Sequence, residues 1–166
     1  AATFYYVQVE ANYEGTAIST TPKLYSTGSE STGEIRVYFN QDTDPSVSMG
    51  LFPYGTSPLA VKDAIIERID LAENTIDMAI YNINDMDIVN ALNEAVIRGV
   101  NVRVVADEGA SNTGLQGNLN FEVLFGNSNG LMHNKFLSID ADSPLDAWVI
   151  MGSMNFSEQN IFDDFN

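Results

Sequence analysis

Between residues 57 and 107 the apolar positions follow a helix, strand, helix, strand rhythm. Ser57 before Pro58 suits a helix start, since the hydroxyl can cap free N–H groups and Pro tolerates the first turn. Leu59, Ile65, Ile66, Ile69 and Ala72 then recur at helical spacing and are expected inward. Lys62, Asp63, Glu67, Arg68 and Asp70 fall largely on the other side. Residues 75–81 read as a strand whose apolar run Asp77 interrupts, so Asp77 is expected to face a helix end or solvent. A second amphipathic helix follows, with Ile88, Ala91, Leu92, Ala95 and Val96 inward and Gly99 as its stop. Residues 100–107 form the next strand. A strand–helix–strand unit of this length predicts parallel strands with a right-handed crossover. Residues 121–125 add a strand, the turn 126–130 leads into another around residues 132–140, and residues 147–151 give the last.

The first third of the chain has a different rhythm. Residues 4–10 are aromatic and β-branched, 12–15 supply a turn and 16–20 return, which predicts two paired strands within residues 3–24. The pattern resembles the closing hairpin of a fibronectin type III-like sandwich, and fits equally an edge hairpin added to the main domain. The Ser-, Thr- and Gly-rich stretch 26–33 reads as a linker. Residues 35–39 predict a short strand and 40–45 a turn-rich loop. Asp42 and Asp44 in that loop lack the Gly and distal Glu of a calcium loop, so they read as solvated. The loop 50–55 carries Phe52, Pro53 and Tyr54, expected to pack on the domain. The loop 108–119 lies at the carboxyl end of a parallel strand, where open α/β sheets place their sites. Its Glu108 and Asn112 read as ordinary polar loop residues, with substrate contact as the alternative. Trp148 and the methionines read as core.

At 166 residues the chain accommodates one domain with a sizeable core rather than two ordinary ones. The expected division is residues 1–30 for hairpin and linker and 31–166 for an α/β domain with a mixed sheet flanked by helices. The chain opens on Ala rather than Met, which reads as processing or a fragment. No internal repeat appears. No apolar run reaches bilayer length, so stable membrane insertion is not expected. With no Cys, disulfides and thiolate metal sites are excluded. Seven Lys and Arg against 23 Asp and Glu give a formal net charge of −16, a field that repels nucleic acid and anionic membranes. Such acidity suits an extracellular or cell-surface protein and disfavours an architectural nucleic-acid binder.

The chemistry concentrates near the C-terminus. His133 is the one His of the chain, Lys135 follows two positions on and Asp140 five after that. On a regular strand His133 and Lys135 project from one side and Asp140 from the other. A second strand end then carries Gly152, Ser153 and Asn155, with Gly152 permitting close backbone approach and Ser153 and Asn155 sharing a side. Imidazole, ammonium, hydroxyl and carboxamide can thus converge on an anion that must also be attacked.

His133-x-Lys135-x4-Asp140 followed by Gly152-Ser153-x-Asn155 resembles the signature of the phospholipase D superfamily, and the likeness extends from about Glu34 onward. The resemblance implies that His133 attacks phosphorus to form a phosphohistidine, that Lys135 and Asn155 hold the phosphoryl oxygens and that Ser153 adds a hydroxyl contact. Asp140 is then structural or supporting. These roles demand no metal and no cofactor. The family often has an acidic residue after Gly-Ser-x-Asn that orients the His. Asn166 occupies the nearest position by spacing, leaving Asp163 or Asp164 as substitutes or as solvent-facing carboxylates. Family units normally continue with a further strand and helix, so the chain is expected to be incomplete at its C-terminus.

Double displacement needs a nucleophile and a general acid. With one His per chain, the second imidazole is expected from a homodimer of the kind that single-motif, nuclease-like members form, or from a second motif in further C-terminal sequence. The expected function is a metal-independent phosphodiesterase acting on nucleic acid or, alternatively, a phospholipid hydrolase or transferase. A non-enzymatic extracellular assembly module that retains the motif is the remaining reading.

Overall fold

The computed structural model describes residues 4–8, 10–13, 16–26, 33–41, 46, 57–126, 129–143 and 146–166. The expected loop residues Asp42, Asp44, Phe52, Pro53 and Tyr54, and most of the 26–33 linker, lie outside them.

The N-terminal hairpin is longer than the two strands expected. Its arms are each split, giving β1 (Phe4–Val7), β2 (Glu10–Tyr13), β3 (Thr16–Ser19) and β4 (Lys23–Ser26). β1 pairs with β4 and β2 with β3, both antiparallel, from Phe4 opposite Ser26 inward to Tyr13 opposite Thr16. The first ladder ends at Val7 opposite Lys23 and the second begins at Glu10 opposite Ser19. Neither ladder joins the main sheet.

The main domain is built on a five-stranded mixed sheet. Its elements are α1 (Pro58–Asp70), β5 (Thr75–Ile80), α2 (Met86–Ile97), β6 (Asn101–Ala106), a 3₁₀ turn (Thr113–Gln116), β7 (Glu122–Phe125), β8 (Lys135–Ile139), β9 (Trp148–Met151) and α3 (Glu158–Phe162). The strand order is β7-β6-β5-β8-β9, with β5, β6 and β7 parallel and β8 and β9 antiparallel to their neighbours. The βαβ unit is present, and the mixed α/β class follows from the return of β8 beside β5.

Caps set the helix limits. The Ser57 hydroxyl accepts from the Ala60 N–H, and Asp85 caps α2 by accepting from the Asp87 and Ile88 N–H groups. Gly99 follows α2 at φ +100, a conformation that favours glycine. Alternate strand residues Ile76, Met78, Ile80, Val102, Val104, Leu137 and Ile139 are buried against Ile65, Ile69, Ile88, Leu92 and Ala95 of the helices. Leu59, expected inward, is 57% exposed. At about 100° per residue it lies roughly 120° around the helix from Ile65, off the buried stripe.

The opposite sheet face carries Asp77, held in a two-pronged pair with Arg103 at 2.6 and 2.7 Å. Register places Leu124, Val105, Ala79, Phe136 and Met151 in one row across all five strands, with Met151 76% exposed. Met78 and Met154 are core, but Met86 and Met151 are exposed. Trp148 is half-buried and takes the Arg68 guanidinium at 3.8 Å from its ring.

The strand expected at residues 35–39 is absent. Ile35 and Val37 are 84% and 68% exposed. Alternation alone makes no strand, and among the described residues no backbone pairs with this segment as a ladder. The segment is instead fastened by Asn40, which is fully buried. Its Nδ2 group donates to the carbonyls of Asn160, Ile161 and Asp164 at 2.9, 2.9 and 2.6 Å, and its Oδ1 accepts from the Asn166 N–H at 2.9 Å. Asn40 therefore satisfies the end of α3 and fixes the chain after it. Asn40→Ala strands these groups and is expected to cost about 2 kcal/mol, read as a fall in melting temperature of roughly 5 °C. A shift under one degree would show that water replaces the side chain at no cost.

Candidate active site

Two stretches converge on the carboxyl end of β5. The Tyr81 N–H donates to the Asn134 carbonyl at 2.8 Å, prolonging the β5–β8 ladder to the residue between His133 and Lys135. Further along, Ile83 bridges Phe156, while the Asn84 and Asp85 N–H groups donate to the Phe156 carbonyl at 2.9 and 3.0 Å. The Gly152 N–H donates to the Lys135 carbonyl at 3.3 Å. One strand end thus joins the His–Lys stretch to the Gly-Ser-x-Asn stretch.

β8 begins at Lys135, so strand alternation does not place His133. His133 sits in the preceding coil, exposed, whereas Lys135 lies on the buried face opposite Ile80. Tyr81 brings the two together. Its ring meets the His133 imidazole edge-on at 4.7 Å between centroids, and the Lys135 ammonium lies 5.0 Å from its centroid. The Lys135 Nζ also donates to the His133 carbonyl at 3.0 Å. The loop leading to His133 is held by Asp107, which is buried just past β6. One oxygen of Asp107 accepts from the Met132 N–H at 2.8 Å and the other from the Gly109 N–H at 2.9 Å.

Lys135 is the electrostatic centre of the site. Burial lowers its pKa below the usual ammonium value. Among the described residues no carboxylate lies within salt-bridge distance, although Lys62, Arg36, Arg98 and Arg103 are all paired with acids. A buried ammonium without a counter-charge favours an incoming anion.

Asn155 is fixed by a relay. Asn160 Oδ1 accepts from the Asn155 backbone N–H at 3.0 Å and from its Nδ2 at 2.8 Å, while Asn160 Nδ2 donates to Asp164 at 2.7 Å. A carboxylate only accepts, so Asp164 determines which way Asn160 points, and Asn160 does the same for Asn155. Among the described residues, one Nδ2 hydrogen of Asn155 remains available and its buried Oδ1 has no partner. Ser153 is exposed and donates to Asn166 Oδ1 at 3.0 Å. A Cβ at Gly152 would meet nothing within 4 Å, so that side of the turn is open.

Asp140 stands apart. It follows the last residue of β8, about 17 Å along the strand from Lys135. There it accepts from the Glu73, Asn74 and Thr75 N–H groups at 2.8, 2.7 and 2.8 Å. Asn112 is buried and structural, bonding the Ile83 N–H and the Asp107 carbonyl. Glu108 is exposed. Asp163 is exposed, and Asp164 serves Asn160. Among the described residues, no hydrogen bond reaches the His133 ring nitrogens, and no group of three or more His, Cys, Asp or Glu could hold a metal ion. No helix among them is long and apolar enough to cross a membrane.

Tyr81, Asp107, Asn160 and Asn40 were not singled out as site-building residues from sequence. The strand-end positions of Tyr81 and Asp107 were the available signal.

Residues 65–166 match the family model of the cardiolipin synthase, PLD-like domain. A mitochondrial cardiolipin hydrolase of Drosophila melanogaster is 29% identical over 97 residues, covering 55% of this chain and 38% of that protein. The match therefore spans well under half of that relative. Among solved structures, NucT from Helicobacter pylori superposes with a TM-score of 0.54 and 25% identity, over 65% of this chain and 74% of that one. Nuc from Salmonella typhimurium, a phospholipase D family member, gives 0.52 and 24%, over 63% and 70%, a likeness of fold.

Proposed function

The chain belongs to the phospholipase D superfamily, through its cardiolipin synthase, PLD-like domain, and on that premise we propose that it is a phosphodiesterase acting through a phosphohistidine. The observation that carries this reading is the buried ammonium of Lys135, which has no acid partner among the described residues and donates to the carbonyl of the chain's one His. A phosphodiester anion supplies the counter-charge that Lys135 lacks. The free Nδ2 hydrogen of Asn155 donates to a second phosphoryl oxygen, so charge is stabilised as it develops. His133 attacks phosphorus and the P–O bond to the leaving alcohol breaks. Attack by water on the phosphohistidine then releases the phosphoryl product and restores the imidazole. The bare Oδ1 of Asn155 accepts a hydrogen bond from the entering or leaving hydroxyl.

The leaving oxygen needs a proton, and we assign that role to His133 of a second copy across a two-fold axis. The exposure of His133 is compatible with such an approach. The substrate is the phosphodiester of a nucleic acid or a phospholipid. The net charge of −16 opposes polyanion association, so cleavage of DNA should rise with added salt over the range where repulsion is screened.

The test is hydrolysis of an artificial phosphodiester, a DNA and a phospholipid in excess EDTA, with acid-labile, base-stable phosphate on the protein measured after a rapid quench. Turnover in EDTA with label on His133 is expected. Turnover that EDTA abolishes and a metal restores would remove the covalent route.

A further inference from the structure

We infer that Tyr81 is a positioning residue of this site, and that its ring, rather than a carboxylate, orients the imidazole of His133. This rests on the phosphodiesterase reading, and the experiment below separates the two.

Three observations point the same way. First, Tyr81 touches both reacting-site groups: the His133 ring at 4.7 Å with 66° between planes, and the Lys135 ammonium at 5.0 Å. An aromatic ring has a negative face and a positive edge, so it attracts an ammonium and favours the tilted ring contact over a flat sandwich. Secondly, among the described residues no hydrogen bond reaches the His133 ring, and three polar side chains of this region bond other groups. Asp164 takes the Asn160 amide at 2.7 Å, Asn166 takes the Ser153 hydroxyl at 3.0 Å, and Asp107 takes two backbone N–H groups. Thirdly, Tyr81 is anchored independently of its ring, because its N–H donates to the Asn134 carbonyl at 2.8 Å. Ile80 and Ile83 on either side are fully buried and supply the local core packing. The half-buried Tyr81 ring is left to the site.

A nucleophile on a coil residue, with no hydrogen bond to its ring from the described residues, samples many rotamers. Only those aimed at phosphorus react, and a misplacement near 1 Å costs about a hundredfold in rate. A ring in contact with both imidazole and ammonium restricts those rotamers and ties nucleophile and phosphoryl clamp to one shared side chain. It leaves both imidazole nitrogens free, one for attack.

The test uses Tyr81→Phe, Tyr81→Leu and Tyr81→Met in the full chain. Because His133 is the one His, its ring protons can be followed by NMR without ambiguity. Tyr81→Phe is expected to keep kcat within about twofold and to leave the His133 resonances displaced by ring current. Tyr81→Leu and Tyr81→Met are expected to lower kcat by about 10- to 100-fold at nearly unchanged KM, with the His133 resonances moved toward those of a free imidazole. Near-wild-type kcat and unmoved His133 resonances in the Leu and Met variants would overturn the inference. So would a Phe variant as damaged as Leu, since the hydroxyl would then be the acting group. The resonance shift is read without substrate. If the wild-type chain hydrolyses no phosphodiester, the activity reading fails while the resonances still decide whether Tyr81 orients His133.

Discussion

His133→Ala is expected to lower phosphodiester turnover by about 10⁴-fold or more, the scale on which loss of an attacking group acts, while leaving stability within about 0.5 kcal/mol. The two halves of this result come from the same placement. His133 is exposed in coil, so its removal opens no cavity and strands no buried partner. The chain holds no other imidazole to take over. A mixed-subunit experiment extends the prediction. If each site needs His133 from both copies, a random equimolar mixture of wild-type and variant chains retains about one quarter of the activity, because only wild-type pairs work. Subunits that act alone retain one half. Activity per mole of total chain, measured in the equimolar mixture, distinguishes the two. A value of one half would rule out the shared site and require another general acid.

The parts of this molecule that were legible in sequence are those governed by short-range periodicity. The α1–β5–α2–β6 unit follows from apolar spacing and from signals such as Ser57, Pro58 and Gly99, each acting within a few residues. The His–Lys and Gly-Ser-x-Asn spacings identified the family by the same local logic. What escaped depends on partners far along the chain. Asn40 bonds groups about 120 residues away, so its polar side chain read only as loop. Tyr81 and His133 meet because β8 returns antiparallel beside β5, a pairing that periodicity does not encode. Residues 35–39 alternate like a strand, yet a strand also needs a neighbour. The strand expected to carry His133 starts two residues later, so placement of His133 against Lys135 falls to an aromatic side chain rather than to the pleat.

Asp140→Ala is expected to destabilise the domain by about 3–4 kcal/mol, the largest stability effect here, and Asp140→Asn by about half as much. Asp140 is buried and gathers three backbone N–H groups from the segment that enters β5. Ala leaves all three without an acceptor. It also leaves Ala at φ +48, a left-handed conformation that Asn and Asp tolerate better than Ala. Asn keeps one acceptor oxygen and the backbone preference.

The charge gives this prediction a pH signature. Burial by itself would raise the Asp140 pKa, but the N–H bonds from Glu73, Thr75 and Asn74 together outweigh it and leave the pKa below the usual carboxylate value. A depressed folded-state pKa means that the unfolded chain binds a proton more readily. The stabilisation is therefore complete above the unfolded value near 3.9 and is lost as pH falls through the lower folded value. Acidification also relieves the self-repulsion of 23 acidic residues, which acts in the opposite direction and obscures the trend in the wild type alone. Subtracting the Asp140→Asn unfolding free energy from that of the wild type, pH by pH, removes most of that common background. The difference, from urea titrations, should stay flat from about pH 7 to pH 5 and shrink below about pH 4. A gap that is unchanged at pH 3 would mean that Asp140 is held by shape and hydrogen-bond count, with its charge contributing nothing.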